Sequence, residues 1–227
     1  MWAIIKKEFK STFFSPVGYI VIAMFLIIFS ALFYVFSINN RSVDLSSIYY
    51  GTSIYGLPII TAVLTMKSFA EERSKDTEQL LFMSPRSTVS IVMGKFFAIL
   101  AVIGVALVLS FIYYVLLLQC GIPSIKLVLI TILGFILLSM AYISFGLLAS
   151  SITESQVIAA IITLVFLMLP LFASFGDGIF SYLSLIDLFI KFSSGVISAK
   201  EVIGLLSFTV MCITLVVIII KRRKKEG

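Results

Sequence analysis

Six apolar runs, each long enough for a helix to cross a bilayer, constrain this chain more than any other feature. They cover Val17 to Phe36, Ile48 to Met66, Phe96 to Leu118, Leu127 to Ala149, Val157 to Phe175 and Val202 to Ile220. A helix needs roughly 20 apolar residues to span the hydrocarbon core, where its backbone polar groups must find their partners internally. Only 12% of the 227 residues are charged and 61% are hydrophobic, whereas soluble domains carry about a quarter charged. The expected fold is an all-α membrane protein with six transmembrane helices in a single domain, 1–227.

The cations set the orientation. On one set of alternate sides lie Lys6, Lys7, Lys10, Lys67, Arg73, Lys75, Arg86, Lys95 and the run Lys221 to Lys225; on the other lie Arg41, Lys126, Lys191 and Lys200. Thirteen against four predicts both termini and residues 67–95 in the cytoplasm of a bacterial inner or plasma membrane. The first run spans a full bilayer and no small-residue cleavage site follows it, so it is expected to be retained rather than removed as a signal peptide. The formal charge of +6 lacks the aromatic and basic interleaving of a nucleic-acid surface, which leaves membrane lipid as the expected partner of the cations. Cys120 and Cys212 read as small apolar residues rather than a disulfide. With no histidine in the chain, hydrolase and metalloenzyme readings lose their commonest base and ligand.

Three segments depart from plain spans. Trp2, Ile5, Phe9 and Phe13 recur at helical spacing beside Lys6, Lys7 and Lys10, so residues 1–16 read as an amphipathic interfacial helix or as a basic flank that orients the first span. Gly51, Gly56 and Pro58 in SIYYGTSIYGLPII predict an irregular second span, explained by a substrate path or by close helix packing. Residues 176–201 are too apolar for a solvated loop and too short to cross, which suits a re-entrant or interfacial segment. Within it Asp187 and Lys191 stand four apart and can pair on one helix face, as a surface pair or as a gate.

Residues 67–95 are far longer than the connection that two packed helices require. Glu71 and Lys75 have the spacing and order that support a helix continuing out of the second span. Asp76 or Thr77 can cap a further turn, Leu80, Leu81 and Phe82 form an apolar knob, and a new element is expected near Ser84 and Pro85. An apolar knob among carboxylates suits a docking surface for another protein; Glu71, Glu72, Asp76 and Glu78 disfavour an anionic lipid surface.

The string EERSKDTEQLLFMSPRSTVSIVMGK resembles the cytoplasmic loop of ABC-2 type permeases, the membrane subunits of ATP-binding-cassette exporters. KKEFKSTFFSPVGYIVIAMF and FSSGVIS are similar to segments of the gliding-motility branch of that family, and SSITESQVIAA to its second cytoplasmic turn. Glu71, Glu72, Arg73, Thr77, Glu78, Leu80, Leu81, Pro85, Gly94 and Lys95 match the loop pattern, while Asp76 stands where glycine is usual. The resemblance implies a cytoplasmic coupling helix between helices 2 and 3 that rests on an ABC ATPase subunit. It also implies a second permease, as a homodimer or with a related chain.

The chain has no P-loop of its own: Gly94-Lys95 is followed by Phe96, and Val89 occupies the place of the first glycine. No catalytic residue, metal site or cofactor is expected in this chain; ATP and Mg belong to the partner ATPase. The rival readings are a secondary carrier, disfavoured because the first, third, fourth, fifth and sixth runs contain no Asp, Glu, Lys or Arg, and a non-transporting membrane anchor for a cytoplasmic ATPase. The orientation is open to a direct test. In a chain with both native cysteines replaced by alanine, Ser74→Cys in sealed cells should resist an impermeant external thiol reagent; labelling from outside would overturn the topology.

Overall fold

The computed structural model describes residues 13, 16–39, 44–74, 87–118, 124–173 and 185–226. The described residues are almost all helical, with no strand among them. In chain order the helices are α1 (Pro16–Phe33), α2 (Leu45–Gly51), α3 (Leu57–Met66), α4 (Ala70–Ser74), α5 (Thr88–Leu117), α6 (Ile125–Ile152), α7 (Gln156–Ala173), α8 (Leu185–Ser193) and α9 (Ala199–Glu226). A π-helical stretch, Tyr34–Asn39, extends α1, and another, Thr52–Gly56, joins α2 to α3.

Five helical stretches are long and apolar enough to cross a membrane: Pro16–Ser37, Leu45–Ser74, Thr88–Leu117, Ile125–Ile152 and Ala199–Lys224. They coincide with five of the six expected spans, the third ending one residue earlier, at Leu117. The remaining one, Val157 to Phe175, coincides with α7, whose apolar stretch Gln156–Leu169 is shorter. Residues 174 and 175, where that span was expected to end, lie outside the described residues, as do Trp2, Ile5 and Phe9 of the expected interfacial helix.

Helix α6 is the hub, packing against α2, α3, α4, α5, α7, α8 and α9. Its buried positions include Gly134, Ser139, Ala141, Ser144, Gly146, Ala149, Ser150 and Ser151. Small residues of this kind let helix backbones approach closely in a bilayer, where no hydrophobic force drives helices together. At Gly146 a Cβ would lie 2.3 Å from Thr65 Oγ1 on α3, and at Gly134 it would lie 2.5 Å from Phe192 of α8. Between these crossings Phe135 of α6 meets Phe25 of α1, Tyr49 of α2 and Phe189 of α8 edge to face.

The second span is irregular, and side chains and a shifted backbone bond serve groups at its break. Leu57 N–H donates to the Thr52 carbonyl, one residue beyond the α-helical partner. The hydroxyls of Thr52 and Ser53 donate to the carbonyls of Ile48 and Tyr50. Pro58 stands where the π-helical stretch passes into α3, so its missing N–H falls at the irregular part of the span. A Cβ on Gly51 would stand 3.1 Å from Leu32, and one on Gly56 3.2 Å from Ile28. These glycines therefore serve close packing against α1.

The third crossing helix begins at Thr88, where the Ser87 hydroxyl accepts from Ser90 N and caps it; Ser84 and Pro85, where a new element was expected, lie outside the described residues. Its first turns take in Lys95, and α9 likewise takes in Glu201, so both ionisable groups lie inside helices that the apolar runs alone had excluded them from.

The close α3–α6 crossing yields a paired prediction. Gly146→Ala should destabilise the detergent-solubilised protein by about 1–3 kcal/mol through overpacking. Gly104→Ala, whose Cβ would meet nothing within 4 Å, should be neutral or stabilising by up to about 1 kcal/mol. Thermal unfolding of the two variants side by side checks this, and equal midpoints would refute the crossing.

Candidate functional site

The polar residues that open the 67–95 segment gather at one end of α6. The α3 helix stops at Met66, and Ser68 N–H turns back to the Thr65 carbonyl at 3.0 Å. One turn later α4 starts, with Glu71 and Glu72 in its first turn, where the helix dipole favours carboxylates. The joint leaves the N–H groups of Phe69 and Ala70 without helical acceptors. Both donate to Ser150 Oγ of α6, each at 3.1 Å, and that hydroxyl donates to the Met66 carbonyl at 3.4 Å. One hydroxyl, two lone pairs and one proton are thereby fully used.

Lys95 of α5 closes the other side. Its side chain is 4% exposed, and Nζ donates to the Ser68 carbonyl and to Glu72 Oε1, each at 2.5 Å. The ammonium also lies over the Phe69 ring, 4.8 Å from its centroid. An ammonium has three donors and little tolerance for dry surroundings, so this set of partners is what permits its burial. At the rim, Arg73 pairs with Glu154 at 2.5 Å and donates to the Ile152 carbonyl at 3.4 Å. Both members of that pair are solvent-accessible, which limits it to about 1 kcal/mol or less. Three elements, α4, α5 and the α6–α7 turn, thus meet in one clasp.

Of the predicted docking residues, Glu71, Glu72 and Arg73 are described; Asp76, Thr77, Glu78, Leu80, Leu81 and Pro85 lie outside the described residues. The structure brings Glu72 to Lys95 and Arg73 to Glu154. Reading the sequence did not foresee either pairing or the cap from Ser150. A signal was available for the first: Lys95 is a lone cation immediately before a long apolar run.

A second polar site lies toward the opposite end of α6. Helix α8 buries Leu185, Ile186, Phe189 and Phe192 and exposes Asp187, Ile190 and Lys191. Its end is a Schellman closure: Val196 N–H returns to the Lys191 carbonyl, Gly195 N–H to the Phe192 carbonyl, and Gly195 takes a φ of 81°. The glycine of FSSGVIS is needed for that turn. Thr131 of α6 donates to the Phe192 carbonyl as well. Among the described residues, Lys191 forms its ion pair with Glu201 of α9 rather than with Asp187 four positions earlier. Glu201 is 2% exposed and Lys191 53% exposed, so the lysine reaches down to a carboxylate held in the packing. No group of three or more acidic, cysteine or histidine side chains among the described residues could hold a metal ion.

Long apolar helices around a small-residue hub, with a charged clasp where the 67–95 segment begins, define a multi-pass membrane protein built like a transporter subunit. The family model for the ABC-2 family transporter protein matches residues 36–221. The chain belongs to that family and is a membrane permease component of an ABC transporter. No curated protein matches it.

The clasp predicts a graded response. Ser150→Ala removes the acceptor shared by two buried N–H groups and should cost on the order of 1–2 kcal/mol, with faster amide exchange at Phe69 and Ala70. Glu154→Ala should cost about 1 kcal/mol or less. Hydrogen exchange with mass spectrometry over residues 66–74 discriminates, and equal exchange in the two variants would contradict the cap.

Proposed function

We propose that this chain is the permease subunit of an ABC exporter, forming half of a translocation pathway with a second permease and docking a separate ATPase through residues 67–95. The observation that carries the reading is the clasp itself. The segment expected to touch the ATPase emerges from a joint bonded to two long helices, so force applied there has a path into the bundle. Asp76, Thr77, Glu78, Leu80, Leu81 and Pro85, with Glu71, form the docking surface; Glu72 and Arg73 anchor its root. ATP and Mg are held by the ATPase, and its closure shifts the paired permeases between two states that expose the pathway to one side or the other. At the far end, α8 with Asp187 and Lys191 closes the bundle, held by the ion pair with Glu201.

The ionisable groups of the described helices also weigh against a secondary carrier. Lys95 and Glu201 sit in the first turns of their helices and are neutralised by Glu72 and Lys191, whereas ion coupling calls for such groups near mid-membrane.

The test is the docking knob. Leu81→Glu should reduce co-purification of a P-loop ATPase with the affinity-tagged chain by about 30-fold, the equivalent of about 2 kcal/mol at an interface anchor. Membrane insertion should stay normal, because no span is altered. Lys126→Ala, on the predicted outer side, is the matched control. Undiminished ATPase recovery with Leu81→Glu would remove residues 67–95 as the docking surface.

A further inference from the structure

The joint between α3 and α4 is too slight to carry force unaided. The described part of α4, Ala70–Ser74, is set off from α3 by the non-helical residues 67–69, and such a break lets two helical segments move independently. Movement of the segment beyond Ser74 would be absorbed there unless the joint were pinned. Toward α6 it is pinned through the Ser150 hydroxyl and the exposed Arg73–Glu154 pair. Toward α5, among the described residues, the hydrogen bonds and ion pair all run through one atom, Lys95 Nζ.

Helix α5 is well placed to carry such movement onward. It is continuous from Thr88 to Leu117. About 22 Å along it from Lys95, Ser110 Oγ bonds Tyr49 Oη of α2 at 3.0 Å, both groups buried. One turn further, Tyr113 bonds Ser30 of α1 through their hydroxyls. The same helix is therefore tied at its start to the root of the 67–95 segment and at its far half to the first two spans.

The chemistry of the Lys95 contact suits a strut rather than a slip joint. A buried ammonium that lost Glu72 and the Ser68 carbonyl would be stranded without compensation, so separation of α5 from the joint is opposed far more strongly than ordinary sliding of apolar side chains. An apolar contact at this position would hold the helices together and still allow them to shift past one another.

We propose that Lys95 is a positioning residue for coupling: it makes α5 follow the root of the 67–95 segment, so that movement imposed there reaches the first two spans. The inference deepens the exporter reading and rests on it for its purpose. The mechanical link between α5 and the joint can be tested without it.

Spin labels at Ser74→Cys and Val89→Cys, in full-length protein with Cys120 and Cys212 replaced by alanine and embedded in lipid nanodiscs, report the α4 to α5 distance. The expected result is one narrow distribution for the parent, a broadened or shifted one for Lys95→Met, and recovery of the narrow one in Lys95→Arg, which keeps the charge and donors. Glu72→Gln gives the same reading from the other partner and should broaden the distribution too, so the test stands if Lys95→Met fails to insert. An unchanged distribution in Lys95→Met, or in Glu72→Gln where that variant must substitute, would overturn the strut.

The second arm uses the complex recovered with the tagged chain. Lys95→Met should retain the co-purified ATPase while losing the stimulation of ATP hydrolysis on reconstitution by about fivefold or more, the lower end of typical coupling between sites. Lys95→Arg should keep that stimulation. Full stimulation in Lys95→Met would overturn the coupling role. If no ATPase co-purifies with the unsubstituted chain, the exporter reading and the coupling role fail together, while the distance measurement still decides the strut.

Discussion

A backbone N–H or C=O without a partner costs several kcal/mol in hydrocarbon, and the shape of this bundle follows from where the chain meets that cost. Three interruptions of regular helix within or beside the apolar bundle show how it does so. At Thr52–Gly56 the helix widens by one residue, the next N–H finds the carbonyl one further back, and two hydroxyls cover neighbouring carbonyls. At the α3–α4 joint the orphaned N–H groups go to Ser150 on another helix. At the end of α8 a glycine with positive φ folds two N–H groups back onto the last turn. The first and third repairs are local. The second is tertiary, which makes the α3–α4 joint dependent on α6 staying where it is.

That dependence explains the composition of α6. Its glycines and serines look unremarkable in a hydropathy profile, yet three of them mark contacts with neighbouring elements. Gly134 admits Phe192, Gly146 admits Thr65, and Ser150 reaches the joint. Lipid tails are as apolar as leucine, so helices in a bilayer gain from fit and hydrogen bonding rather than from escaping water. A hub helix lined with small residues brings seven neighbouring helices close enough for both.

The apolar runs were legible because length and hydrophobicity alone decide whether a helix can cross. The second span's irregularity was legible from Gly51, Gly56 and Pro58, although only the structure shows that Leu32 and Ile28 fill the space the glycines leave. The cap of α5 was not read from the sequence, although Ser87 stands immediately before its first residue. The clasp was opaque for a deeper reason. Glu72 and Lys95 are 23 positions apart, Ser150 is about 80 from the N–H groups it caps, and pairing over such separations is a property of the packed bundle rather than of any window of sequence. Lys191 shows the same limit: its ion pair with Glu201, ten positions on, spans the Schellman turn that joins α8 to α9.

The two ion pairs share a construction that neither shows alone. In each, the less exposed charge belongs to the opening turns of a long helix, Lys95 on α5 and Glu201 on α9, and its counter-ion belongs to a neighbouring segment, Glu72 on α4 and Lys191 on α8. The contacts of α6 with these segments, at Thr131 and Ser150, are about 28 Å apart along it. Removing one partner from a buried pair leaves a charge whose desolvation is no longer compensated, a larger penalty than the pair's net worth when intact. A segment held this way therefore resists departure while contributing little to the stability of the closed bundle. It suits an element that must either stay docked or move together with the long helix it neutralises, and the bundle has one such element toward each end of its hub.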